Sequence, residues 1–281
     1  HPRLIYCSIT GFGQTGPYAP RPGYDALIQA MGGVMSLTGE PNGSPQKVGV
    51  PVADLFAGLY GCIGILAAVN HRNSTGQGQQ IDIGMLDTHV AWLANQGMNY
   101  LATGENPPRL GNQHPNIAPY QEFPTKDGYI ILAVGNDPTF ERFCKAFGQE
   151  ALLADPRFAT NPIRVQNRQL VTDTLTPVMK SKTTAEWIDA LEALKIGCGP
   201  INTLEQVFAD PHVQAREMVV DMAHGSGEKV KVIANPVKLS ATPPSYRSAP
   251  PVLGEHTNAV LTGVLKMSAA EIAALKDKGI L

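Results

Sequence analysis

Gly76-Gln77-Gly78-Gln79-Gln80-Ile81-Asp82-Ile83-Gly84-Met85-Leu86-Asp87 opens on two glycines, alternates in character, and delivers an aspartate to an apolar segment. Gly76 and Gly78 permit a tight turn, after which Ile81, Ile83 and Met85 fall on one face at the two-residue period of a strand. Asp82 falls on the opposite face. The following Thr88-His89-Val90-Ala91-Trp92-Leu93-Ala94-Asn95-Gln96 predicts a helix with a largely apolar surface, which puts Asp87 at the junction, near the N-cap position. Two readings of Asp87 stay open on this spacing: a helix cap and a nucleophile.

Composition narrows the setting. The 281 residues can bury a large core, and the formal charge of −2 with a pI near 6.4 provides no basic field for nucleic acid or an acidic membrane. Cys7, Cys62, Cys144 and Cys198 form no CxxC pair and read as buried thiols of a reducing compartment, with no disulfide or metal framework. No secretory signal is legible, and the apolar stretch Leu55 to Val69 reads as too short and too glycine-rich to span a bilayer. Gly58, Gly61 and Gly64 recur every three residues in that stretch, which predicts a helix with another backbone packed closely on that face.

Leu4-Ile5-Tyr6-Cys7-Ser8-Ile9-Thr10 reads as a buried strand, and Gly11-Phe12-Gly13-Gln14-Thr15-Gly16 after it is a literal GxGxxG. A dinucleotide site requires that motif to open a helix directly. Pro17, Pro20 and Pro22 hold the next residues extended or in turns, which argues against nicotinamide cofactors.

Several further motifs occur in a fixed order. They are Arg21-Pro22-Gly23-Tyr24-Asp25-Ala26-Leu27-Ile28-Gln29-Ala30-Met31-Gly32-Gly33, Val50-Pro51-Val52-Ala53-Asp54-Leu55-Phe56-Ala57-Gly58-Leu59-Tyr60-Gly61, Arg109-Leu110-Gly111-Asn112-Gln113-His114-Pro115-Asn116, Asn202 to Pro211, and Leu253-Gly254-Glu255-His256-Thr257. Together with the Asp87 stretch they resemble the family III CoA-transferases, the formyl-CoA and carnitine-CoA transferase group, along essentially the whole chain. The resemblance implies an acyl-CoA:carboxylate CoA-transferase of the cytoplasm, or of an organelle matrix in a eukaryote, with coenzyme A as a substrate and no permanently bound cofactor.

It also implies that Asp87 attacks the acyl-CoA thioester and passes through an aspartyl-CoA thioester. A carboxylate suits that work because it is ionised at pH 7 and needs no general base. Gly11, Gly13, Gln14, Arg21, Tyr24, Asp25, Asn112, Gln113 and His114 are expected around the acyl-CoA, the glycine loop approaching it through backbone N–H groups. The related α-methylacyl-CoA racemases carry histidine at the position of Tyr24, as part of a proton-transferring pair, and tyrosine is a poor shuttle at neutral pH. Asp25 has a helix cap as its alternative role. Formyl-CoA transferases place a glycine-rich lid where this chain has Asn112, Gln113 and His114, which are polar donors suited to the second carboxylate of a dicarboxylic acyl group.

The fold implied is α/β, a Rossmann-like large domain interrupted by a smaller α+β domain, with two subunits interlocked as a homodimer. Residues 1–115 are expected to form the first part of the large domain, 116–221 the small domain and 222–281 the return to the large one. Within the small domain, Gly128 to Val134 predicts a strand, Thr139 to Phe147 a helix, and Gln166 to Lys180 and Thr184 to Leu194 two more, the last capped by Thr183/Thr184. Beyond it, Lys229 to Ile233 predicts a strand and Ser268 to Lys278 a helix ending at Gly279. Family members carry a further segment before the first strand, holding much of the CoA nucleotide pocket, so a shortened chain is expected. A catalytically silent family member with an assembly role is the alternative reading, and a racemase a weaker one.

Overall fold

The computed structural model describes all 281 residues as two compact units, His1–Pro200 and Ile201–Leu281. The first unit starts with β1 (Tyr6–Thr10), the helices α1 (Asp25–Met31), α2 (Val34–Leu37) and α3 (Val52–Thr75), strand β2 (Gln80–Gly84), and helices α4 (Met85–Ala91) and α5 (Ala94–Thr103). β1 and β2 pair in parallel, with Tyr6 opposite Gln80 and Thr10 opposite Gly84, so both strands end side by side. Parallel neighbours require a long crossover, and α3 provides its main span.

The glycines of α3 let it lie close on those strands. A Cβ on Gly61 would stand 3.0 Å from Ile9 Cδ1, and one on Gly64 3.1 Å from Ile81 Cγ2. The partners are strand side chains, not the second backbone that the spacing predicted, and Gly58 meets nothing within 4 Å. Helix α3 is also longer than its apolar stretch suggests: by length and composition it could cross a bilayer. In this fold one side rests on the parallel pair, while Leu55, Leu59, Ile63 and Leu66, spaced along the other, are more than half exposed.

Two apolar cores fill this unit. The smaller gathers Phe12, Ile28, Ala53, Ala57 and Met85. The larger lies beneath an antiparallel sheet in the order β3 (Tyr120–Pro124), β4 (Tyr129–Ala133), β5 (Gly197–Pro200), with α6 (Asp137–Ala146), α7 (Ala151–Ala154), a 3-10 turn at Pro156–Phe158, α8 (Asn161–Gln166), α9 (Arg168–Met179) and α10 (Thr184–Ala193). Phe123, Ile130, Leu132, Phe143, Leu175 and Trp187 are fully or almost fully buried there. The predicted Thr183 cap is a full capping box with Glu186. Arg164, wholly buried, spends its guanidinium on Ala118 O, Phe158 O and Asp137 Oδ1 at 2.7–2.8 Å, so its own charge is paired.

The second unit holds α11 (Leu204–Ala209), α12 (Pro211–Ala215), the antiparallel pair β6 (Val219–Ala223) and β7 (Lys229–Ile233), α13 (Thr257–Gly263) and α14 (Ala269–Asp277). Ser268 and Glu271 form a capping box at α14, and Gly279 takes φ +65° just past its end, as the sequence predicts. The unit boundary falls after Pro200, not at residue 221. A cut at 221 would split β6, which pairs only with β7, and Phe208, Val213 and Met218 line one cavity with Val232 and Ile233 of that hairpin.

Candidate active site

Helix α4 starts a turn earlier than the strand pattern implied. Met85 is helical and buried, not extended, and the N-cap is Gly84 at φ −82°, ψ 125°. Leu86 N–H donates to Gly11 O at 3.0 Å and draws the first turn against the glycine loop. Asp87 is therefore the third helical residue. It is exposed, makes no capping hydrogen bond, and its carboxylate accepts none from any other group in the structure. The cap reading does not hold, and what remains is an unengaged carboxylate in the first turn, where backbone N–H groups favour negative charge.

Gly84 shapes this corner. A Cβ there would lie 2.8 Å from Asp87 Oδ2 and 3.1 Å from Gly13 N, so carboxylate and glycine loop flank the same point. The loop is rigidly seated: a Cβ on Gly11 would be 2.5 Å from Gly23 Cα, and one on Gly23 2.4 Å from Gly11 Cα. Gly13, at φ +80°, donates its N–H to Thr10 Oγ1 at 2.9 Å. Gln14 N–H donates to both oxygens of Asp82, at 3.1 and 2.9 Å. Both N–H groups are thus hydrogen-bonded to oxygens of the protein itself. The next helix does not begin until Asp25, as the prolines predict.

Arg21 lies over the rings of Tyr18 and Phe12, 4.5 and 5.4 Å from their centroids, and Tyr24 caps α1 with its side chain 75% exposed. Asp25 is committed to structure: Oδ1 accepts from Ala53 N–H at 2.9 Å in the first turn of α3, and Oδ2 accepts from Gln29 Nε2 at 2.8 Å. Instead of capping its own helix it caps α3. Asp25→Ala leaves the buried Gln29 amide and the Ala53 N–H without this acceptor, and urea unfolding is expected to show a loss of about 1–2 kcal/mol.

His89, which sequence reasoning passed over, is fully buried two residues beyond Asp87, with neither ring nitrogen hydrogen-bonded. Its ring occupies the space where a Gly32 Cβ would sit, 2.4 Å from Cδ2. Burial holds the imidazole below its ordinary value of 6.5, the Asp25 carboxylate acting weakly the other way. The folded state thus binds the proton less readily than the unfolded chain does. The stability this gives is present above the unfolded value and is lost as pH falls from there through the lowered folded one. Thermal melts are expected to drop on going from about pH 7 to 5, and His89→Leu to reduce that drop.

The Asn112–His114 loop is held from two sides. Arg109 donates from Nε to Glu40 O at 3.2 Å and from Nη2 to Gly43 O, while Gly111 N–H reaches Gly39 O at 3.1 Å. Arg168 donates to His114 O and Pro115 O at 3.1 and 2.8 Å. The His114 ring stacks on Tyr120, and its Nδ1 accepts from Asn116 N–H at 3.1 Å. Burial first, then the Arg168 charge, keeps that ring below its ordinary value. Nε2 is consequently the nitrogen that carries hydrogen in the neutral ring. The loop's hydrogen bonds run to residues 39–43, Tyr120, Asn161 and Arg168, and none reaches the Asp87 junction.

The strand–helix corner and its glycine loop lie within a longer match: the model of CoA-transferase family III fits residues 1–257. The chain belongs to that family. It is 48% identical over 261 residues to the succinate–glutarate CoA-transferase of Agrobacterium fabrum, covering 93% of this chain and 65% of that protein. It is 38% identical over 279 residues to the human succinyl-CoA:glutarate CoA-transferase, covering 99% and 64%. The crystal structure of a CaiB/BaiF family protein from Brucella suis matches with a TM-score of 0.80 at 47% identity, over 93% of this chain and 68% of that one. This family III chain thus has the mixed α/β fold of CaiB/BaiF structures, and it spans just under two thirds of the length of the two transferases.

Proposed function

We propose that this protein moves coenzyme A from an acyl-CoA donor to a carboxylic acid acceptor, with Asp87 as the nucleophile. The observation that carries the reading is the Asp87 carboxylate, exposed and free of hydrogen bonds at the end of two parallel strands, in a chain of this family. One Asp87 oxygen attacks the thioester carbonyl; the C–S bond breaks, and a mixed anhydride and the CoA thiolate result. The thiolate then attacks the aspartyl carbonyl, expelling the donor's carboxylate and leaving an aspartyl-CoA thioester. The acceptor carboxylate attacks that thioester, and the released thiolate attacks the acceptor's acyl carbon, which yields the new acyl-CoA and regenerates Asp87.

Dicarboxylates are the acceptors this reading favours, because the relatives act on succinate and glutarate by name and because the His114 Nε2–H is a neutral donor for a second carboxylate. His114→Ala is expected to narrow the preference for dicarboxylic over monocarboxylic acceptors at least roughly tenfold, since one hydrogen bond to a charged group contributes about 1.5–3 kcal/mol. Equal loss toward both classes would remove His114 from acceptor selection.

The bare stripe Leu55, Leu59, Ile63 and Leu66 supports a further part of the proposal, an interlocked homodimer. The four free cysteines suit a reducing compartment, the cytoplasm or an organelle matrix. The test of the chemistry is intact mass after mixing the chain with succinyl-CoA. A CoA-sized adduct that acceptor carboxylate discharges supports the transfer; a folded protein that never gains the adduct with any acyl-CoA would leave the assembly role.

A further inference from the structure

We propose that Asp82 is a positioning residue for the transfer argued above, its carboxylate holding the Gln14 N–H so that the glycine loop is set at a fixed height against Asp87. The inference rests on that transfer reading. Loop N–H groups beside a residue of positive φ ordinarily attract an anion, and with Gly13 N–H taken by Thr10 Oγ1 it is Gln14 N–H that meets one. Here the anion is the protein's own: both Asp82 oxygens accept from Gln14 N–H, and Oδ2 lies 3.5 Å from the place of a Gly13 Cβ.

Strand register delivers it there. Asp82 stands on β2 opposite Ser8, two residues before the end of the parallel pair, and the alternation that turns Ile81 and Ile83 toward the helices turns Asp82 toward the loop. The same loop meets Asp87 on its other side, across Gly84, where a Cβ would lie 3.1 Å from Gly13 N and 2.8 Å from Asp87 Oδ2. Asp82 touches no reacting atom. It acts through the loop, which is the wall any thioester presented to Asp87 must pass.

The experiment compares the full chain with Asp82→Ala and Asp82→Asn, by amide hydrogen exchange at Gln14 and by the rate of adduct formation on Asp87 with succinyl-CoA. Asparagine retains one acceptor oxygen, so it should rescue what alanine loses. In Asp82→Ala, Gln14 exchange is expected to quicken roughly tenfold to hundredfold, the range of a charge-assisted hydrogen bond. Adduct formation should slow at least about tenfold with little change in the half-saturating donor concentration, because a displaced wall misplaces the reacting centre without removing a donor contact. Asp82→Asn should lie between in both readouts, with protection of the β4 amides unchanged in either variant.

Faster Gln14 exchange with parental adduct formation would overturn the proposal, as would unchanged exchange, or an Asp82→Asn as slow as the alanine variant. Should the parent form no adduct, the transfer reading falls and the catalytic part of this proposal with it. Gln14 exchange then still decides whether Asp82 holds the loop.

Discussion

Asp87→Asn is expected to lower CoA transfer by on the order of 10⁴-fold or more while leaving the melting temperature within about a degree of the parent. The amide keeps the shape of the side chain but cannot attack a thioester, and removal of a covalent nucleophile carries losses of that size. The stability half is the more discriminating. Asp87 accepts no hydrogen bond in the structure, and the N-cap of its helix is Gly84. A capping aspartate would cost about 1 kcal/mol on replacement by alanine, a shift of a few degrees. Asparagine caps as well as aspartate, so the melt of Asp87→Ala, also expected to stay near the parent, is the one that separates the two roles. Steady-state transfer from succinyl-CoA, read beside a thermal melt, gives both numbers. Residual transfer within tenfold of the parent would assign the chemistry to another residue.

The second large effect is on folding. Gly11→Ala places a methyl 2.5 Å from Gly23 Cα, and the obstacle is backbone, which cannot rotate away as a side chain would. Overpacking of this kind costs about 1–3 kcal/mol where neighbours can shift, and the upper end is expected here because Gly23 in turn leads into α1. The matched control is Gly49→Ala, where nothing lies within 4 Å and φ is not positive. Its melt should fall within about 0.5 kcal/mol of the parent. Gly11→Ala should melt several degrees lower and lose transfer in the surviving folded fraction. Indistinguishable melts would mean that the loop can lift away from Gly23 at no cost.

Much of this architecture is written in local chemistry. β2 follows from the Ile81/Ile83 alternation, α10 and α14 from Thr183–Glu186 and Ser268–Glu271, and β7 from its Lys/Val pattern. β5 was invisible, since Gly197-Cys198-Gly199-Pro200 has no strand propensity and is extended only because Leu132 and its neighbours on β4 offer a free edge. The strand pattern places the start of α4 late because Gly84 and Met85 fit either period, and what decides between them is the long-range bond from Leu86 N–H to Gly11 O.

At the site, the identity of the carboxylate to examine was readable, while the functions of its neighbours were not. Asp25 opens helix α1 and Asp82 lies mid-strand on β2, and each is absorbed by an amide far away in sequence, Ala53 in one case and Gln14 in the other. His89 had no signal at all. A histidine in an apolar helix is ambiguous until its surroundings, here Gly32 and Trp92, are known.

The mutual contact of Gly11 and Gly23 also divides labour between the parts around Asp87. A segment whose backbone abuts another backbone and whose amides are tied to Thr10 and Asp82 has no hinge left, so it serves as a doorframe and never as the door. On the transfer proposed above, an acyl intermediate on Asp87 would survive only if water were kept off it. On that proposal the shielding would have to arrive from the opposite side and leave again, since two substrates would enter in turn. Slowing its departure would convert a transferase into a stoichiometric CoA trap, whereas loosening it would turn the same carboxylate into a thioester hydrolase.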